Sequence, residues 1–321
     1  MFSAKKIVVG VDMPESRPWD AANLAAPTRL AVRQAFDVAE AMGSSLTLVC
    51  VLQEISVGFF GSEDAANTQA TTNQAAANAV LTDLAQQYKA KDGQPVIVTQ
   101  SVVFGRPWLE ILKAAGPAND NLIMCGTRGK GAISRLLFGS TGLKLLRNAA
   151  CPVWLIKPRI DDDADLDILA ATDLSEVGED VLYAGVTLGQ KLPVRLNVLH
   201  VVDDDLDRHM ARTGVSEQEL AAYRAKTKDE AEQTLHQQLS LTDYRTVGKG
   251  IQVHIAEGAA DGCILAAIKE LNTDLLIMAT SGRAGIPGML FGNTAERLLP
   301  ELPCSILAIK PDDFVCPIPL E

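Results

Sequence analysis

Asn121 to Pro158 reads NLIMCGTRGKGAISRLLFGSTGLKLLRNAACPVWLIKP, and Asp274 to Pro311, displaced by 153 positions (121 to 274), reads DLLIMATSGRAGIPGMLFGNTAERLLPELPCSILAIKP. Gly129, Leu137, Phe138, Gly139, Cys151, Lys157 and Pro158 recur as Gly282, Leu290, Phe291, Gly292, Cys304, Lys310 and Pro311, while Gly131 recurs one place late as Gly285. The two stretches align without a gap. A period of this length is a whole domain and not a solenoid unit, so one α/β domain is duplicated and fused.

The order inside the first copy has a physical use. An apolar run, Leu122 to Cys125, leads into a glycine-rich turn, Gly126 to Gly131; Gly139, Ser140 and Thr141 then open an amphipathic helix. Glycines after a buried strand let the backbone approach a ligand closely, and free N–H groups at a helix start favour an anion such as phosphate. The spacing, Gly126, two residues, Gly129, nine residues, Gly139, Ser140, is not that of a P-loop, which needs Gly-Lys-Ser/Thr at its end.

Working outward, Lys6 to Val11 reads as the first strand, ending in Asp12. Met13 to Pro27 is an inserted loop, Thr28 to Met42 a helix closed by Gly43, and Ser45 to Leu52 the second strand. Glu54 to Thr72 is polar and predicts a loose loop that orders over a ligand, with a helix over Asn73 to Tyr88. Val96 to Val103 predicts a third strand, Trp108 to Ala115 a helix, and Val153 to Ile156 a fifth strand. The second copy repeats this with strand Ile168 to Ala171, Asp173 in the place of Asp12, helix Glu176 to Gln190, strand Val194 to Val202, a helix opened by the capping box at Ser216, and strand Ile251 to Ala256. The expected fold is α/β: two tandem domains, 1–158 and 168–311, each a mostly parallel five-stranded sheet with helices on both faces, joined by an acidic linker at 159–167 and followed by a tail at 312–321.

Composition bounds the function. The chain has 321 residues, 47% of them hydrophobic but 5% aromatic, so aliphatic side chains must fill two cores. No run of roughly 18 uncharged apolar residues is present and the first residues lack a signal-peptide pattern, which predicts a cytoplasmic protein with no membrane partner. The net charge of −11 is uneven: residues 1–159 hold 16 Lys and Arg against 12 Asp and Glu, and residues 160–321 hold 13 against 28. The acidic half offers no basic face, which disfavours a nucleic-acid partner. Six widely spaced cysteines read as buried thiols in a reducing compartment. His200, Asp203, Asp204, Asp205, Asp207 and His209 hold enough donors for a metal, but run as a solvated loop without ligand spacing, and no metal site is expected.

The glycine pattern with Asp12 resembles the nucleotide-binding signature of the universal stress protein family, and the tandem arrangement is most similar to the E type of that family. The resemblance implies ATP or a related adenine nucleotide, alone or with Mg²⁺, as the ligand of the first half. It implies Asp12 and Val51 at the adenosine, Gly126, Arg128, Gly129 and Gly139 at the phosphates, and Ser140 and Thr141 as hydroxyl donors. Relatives commonly dimerise through their last strands, so Val153 to Ile156 and Ile306 to Ile309 would pair within one chain as an intramolecular pseudo-dimer, with further dimerisation left open. The second half departs from the pattern, with Ala279 in place of the first glycine and Asn293 in place of the serine. A degenerate second site would comprise Asp173, Gly282, Gly292, Asn293 and Thr294.

No catalytic constellation emerges from the sequence. Three classes of function stay open: a stress-response regulator that binds an adenine nucleotide, a sensor or carrier of a larger apolar ligand through the second half, and a slow ATPase. The sequence names no protein partner.

Overall fold

The structure, a computed structural model, describes residues 2–54, 63–88, 95–127, 138–159, 164–203, 216–280 and 292–320. Contacts divide the chain into two compact units, 3–162 with 312–321 and 163–311 with 1–2. The tail therefore packs with the first half and not with the domain it follows: Asn119 Nδ2 donates to Asp312 Oδ1 at 3.2 Å.

In the first unit, β1 (Lys6–Gly10), β2 (Ser45–Leu52), β3 (Val98–Phe104), β4 (Asn121–Gly126) and β5 (Val153–Ile156) form a parallel array in the order β3-β2-β1-β4-β5. Ile7, Val8 and Val9 of β1 and Leu122 to Met124 of β4 are buried, as expected of strands covered on both faces. The cover comes from α1 (Ala26–Met42), α2 (Glu63–Gln87), α3 (Pro107–Ala115) and α4 (Ser140–Asn148). Right-handed crossovers place α1 and α2 on one face and α3 and α4 on the other. Pro27 opens α1, where its missing N–H costs nothing, and Gly43 ends it in the left-handed conformation at φ 70°. Chain order reverses between β1 and β4, so a crevice opens beyond their carboxyl ends.

The second unit repeats the plan. Its strands β6 (Leu166–Thr172), β7 (Val194–Val202), β8 (Ile251–Glu257), β9 (Leu275–Ala279) and β10 (Ser305–Ile309) pair in parallel in the order β8-β7-β6-β9-β10. The helices are α5 (Glu176–Lys191), α6 (Glu217–Ser240), α7 (Ala260–Glu270) and α8 (Asn293–Leu298). The capping box at Ser216 forms as expected, with Glu219 N–H donating to Ser216 Oγ and Glu219 Oε2 accepting from Ser216 N–H.

Two sequence readings change. The polar segment Glu54 to Thr72 is helical from Glu63 onward, and residues 55–62 lie outside the described residues. Alanine there supplies helix propensity without an apolar stripe, so the period that marks Ala77, Val80, Leu81 and Leu84 as buried is absent before them. Thr68, Thr71 and Thr72 each bond a carbonyl four residues back, and Gln74 Nε2 donates to the outward carbonyl of Val102 on edge strand β3. The linker is also shorter than read: β6 begins at Leu166, and 160–163 lie outside the described residues.

Lys310, which follows β10, is 5% exposed, and burial pushes its ammonium down to about 8. A lysine depressed in the fold opposes folding below that pH. The opposition is relieved as pH rises from about 8 toward the unfolded value near 10.4. Above pH 9 the buried thiols of Cys50, Cys125 and Cys151, pushed up to about 12 by burial, work the other way, because only the unfolded chain loses those protons. Lys310→Met is therefore expected to change the stability of the second unit by an amount that depends on pH, most favourable to the variant below pH 8 and shrinking above it. Urea unfolding of both proteins between pH 7 and 10 reads this out, and a constant difference would exclude the titration.

Candidate functional site

The crevice at the carboxyl ends of β1 and β4 is an open cleft. Asp12, Val51, Gly126, Gly139, Ser140 and Thr141, six of the eight residues named from sequence, line it. Arg128 and Gly129 lie outside the described residues. The structure adds a wall that the glycine pattern did not reveal: Val49, Pro107, Ile111, Cys125 and Leu155. Pro107 and Ile111 stand four apart on α3, and that helical spacing is the signal that could have placed them on one face.

Two helix starts meet at the cleft. Gly139 caps α4 in extended geometry (φ −60°, ψ 163°), and neither helix has a capping bond from its N-cap side chain, Gly139 for α4 and Arg106 for α3. The first intrahelical bond of α4 is Leu143 N–H to Gly139 C=O, so among the described residues the preceding amides of the helix have no intrahelical acceptor. Both helix dipoles present their positive ends there. The floor is neutral and closely packed. A Cβ on Gly10 would sit 2.8 Å from Cys125 Sγ and 2.9 Å from Ile111 Cδ1. Burial, and secondarily the Asp12 carboxylate, holds the Cys50 thiol protonated; for Cys125 the same two causes act against a bond with Gly10 that lowers it.

Gly126 has a role that the motif alone does not disclose. A Cβ there would lie 2.4 Å from the carbonyl carbon and oxygen of Pro27, so this glycine admits the start of α1. The missing side chain points toward α1, away from the α3 and α4 face. Ala279 is the counterpart of Gly126 and lines the second cleft.

The second cleft is lined by Thr172, Asp173, Leu199, Val201, Ala260, Ile264, Met278, Ala279, Gly292, Asn293, Thr294 and others. Asp173, Gly292, Asn293 and Thr294 thus come together as named from sequence, and Gly282 lies outside the described residues. Its chemistry differs. Met278 stands where Cys125 stands, Leu199 where Val49 stands and Ala171 where Gly10 stands, which makes the floor bulkier. Asp173 Oδ1 accepts from Ser175 N–H at 3.1 Å and from Ser175 Oγ at 2.5 Å, with Leu174 held at φ 61°, so this carboxylate is engaged at the start of α5.

The family model described as "Universal stress protein family" matches residues 3–157 and 167–310. The chain belongs to the universal stress protein family. Among relatives, Universal stress protein E of Photorhabdus laumondii is 25% identical over 231 residues, 66% of this chain and 68% of that protein. Universal stress protein E of Escherichia coli K12 is 23% identical over 252 residues, 73% and 74% of the two chains. A putative universal stress protein from Pseudomonas aeruginosa UCBPP-PA14 matches in structure with a TM-score of 0.66 at 22% identity, covering 97% of this chain and 94% of that one. One from Archaeoglobus fulgidus has a TM-score of 0.60 at 18% identity, covering 96% and 99%.

Around these universal stress protein folds, all six cysteines are free. Among the described residues no three His, Cys, Asp or Glu side chains are grouped to hold a metal ion, and no helix is long and apolar enough to cross a membrane. Of the segment weighed as a metal loop, His200 is buried on β7 with Nδ1 2.9 Å from the Thr172 carbonyl; residues 204–215 lie outside the described residues.

Proposed function

We propose that this universal stress protein is a stress-response regulator whose first unit binds ATP or a related adenine nucleotide. The observation that supports this reading is the convergence of two helix starts, the Ser140 and Thr141 side chains and Asp12 around one apolar-walled cleft. Val49, Val51, Pro107, Ile111 and Leu155 suit a flat base, Asp12 suits a ribose hydroxyl, and the α4 start suits phosphate oxygens. Mg²⁺, where it accompanies ATP, is held mainly by phosphate oxygens and water.

Binding of ATP to the purified protein, followed by calorimetry, tests the reading. Asp12→Ala is expected to weaken ATP about 10- to 100-fold through loss of one charge-assisted hydrogen bond. No heat with any adenine nucleotide would reject it. The bulkier, more aliphatic floor of the second cleft favours a different, more apolar ligand there, and mass spectrometry of small molecules released from the purified protein would identify it.

A further inference from the structure

Between the two helices whose first residues line the first cleft, Lys144 of α4 reaches across to α3 and sets its ammonium 5.2 Å from the centre of the Trp108 ring. The positions 153 further on are Arg297 and Asp261, and there the cation meets a carboxylate: Arg297 Nη1 lies 3.8 Å from Asp261 Oδ1. The same helix pair thus carries the same bridge in two electrostatic forms. An indole attracts a cation through its quadrupole but carries no net charge, so the charge of Lys144 stays uncompensated, whereas that of Arg297 is neutralised. Lys144 has no acidic partner among the described residues, and Arg106, the N-cap of α3, is replaced by Ala259, so the two helix pairs differ in the same direction at both positions.

We infer that Lys144, held by Trp108, is the residue by which the first cleft selects for the number of phosphates on its nucleotide. This rests on the nucleotide reading above. Trp108 is the second residue of α3, directly after Pro107 in the cleft wall, and Lys144 stands one turn beyond Ser140. Side chains on a helix lean toward its N-terminus, so an ammonium anchored on Trp108 is carried back to the level of the first turns, where the phosphates would lie. One helical turn is about 5.4 Å, inside the Debye length of about 8 Å at physiological salt, so each added phosphate charge is attracted. Lys144 sets the gradient of affinity from adenosine through AMP to ATP, and the second cleft, with its neutralised pair, lacks that gradient.

The test is calorimetric titration of the full chain with adenosine, AMP, ADP and ATP at two salt concentrations. Lys144→Gln should weaken ATP about 10-fold, leave adenosine within about twofold, and flatten the salt dependence of ATP binding; Lys144→Arg should restore all three. Trp108→Asp, which imports the second-half pairing, should reproduce the loss because it neutralises the lysine while keeping it in place, and Trp108→Asp with Lys144→Gln, which leaves the carboxylate unpaired beside the phosphates, should weaken ATP further than either alone. Equal weakening of adenosine and ATP, or no change in either, with wild-type ATP binding intact, overturns the role of Lys144. A wild-type protein that binds none of the four nucleotides overturns the nucleotide reading, and this inference falls with it.

Discussion

Gly126→Val is expected to lower the melting temperature of the first unit by about 10 °C while leaving the second unit unchanged. The Cβ it introduces lies 2.4 Å from Pro27 C and O and 2.7 Å from Thr28 N. These are main-chain atoms, which cannot rotate aside as a side-chain tip would. The start of α1 must move, although Pro27, Thr28, Leu30 and Ala31 are buried against the sheet. Overpacking of this kind costs about 3 kcal/mol or more, and each kcal/mol shifts a domain of this size by roughly 2–4 °C. Ala279→Val is the control in the second unit, where a Cβ is already accommodated. Calorimetric unfolding of the two variants separates them, and equal shifts would mean that the glycine answers a demand other than the close approach of α1.

Gly139→Val should act in the opposite way, sparing the fold and removing nucleotide binding. At φ −60° and ψ 163° any residue is allowed, and a Cβ there meets nothing within 4 Å among the described residues. The added isopropyl group instead stands at the cap of α4, beside the N–H groups of its first turn. Loss of those contacts is expected to weaken ATP by about 100-fold, or about 2.7 kcal/mol, with an unfolding temperature within a few degrees of wild type. A variant that binds ATP normally would remove Gly139 from the site.

The pair of glycines shows what local pattern discloses and what it does not. Both were visible as motif positions, and both line the cleft. Only the structure separates them, because the atom that makes Gly126 obligatory belongs to Pro27, 99 positions away (27 to 126), and no period or propensity carries a contact between such distant residues. The strands were legible because parallel strands buried on both faces read as unbroken apolar runs; Ser45–Leu52, Val153–Ile156 and Val194–Val202 stand where periodicity put them. The duplication proved longer than first read: the displacement of 153 already relates Gly105 to Gly258, both at positive φ, and Trp108 to Asp261. The start of α2 was hidden because alanine, threonine and asparagine on a helix with no apolar stripe look the same as a loop. Pro107 and Ile111 were hidden because the glycine motif draws attention to one side of a cleft whose other side comes from a different crossover.

The most direct measurement of the proposed asymmetry between the halves is the number of ATP molecules bound per chain, by titration calorimetry of wild type, Gly139→Val and Gly292→Val. One site per chain, lost in Gly139→Val and retained in Gly292→Val, is the result predicted by the smaller floor residues Gly10 and Cys125 of the first cleft against Ala171 and Met278 of the second. Two equivalent sites, or a single site lost only in Gly292→Val, would contradict it.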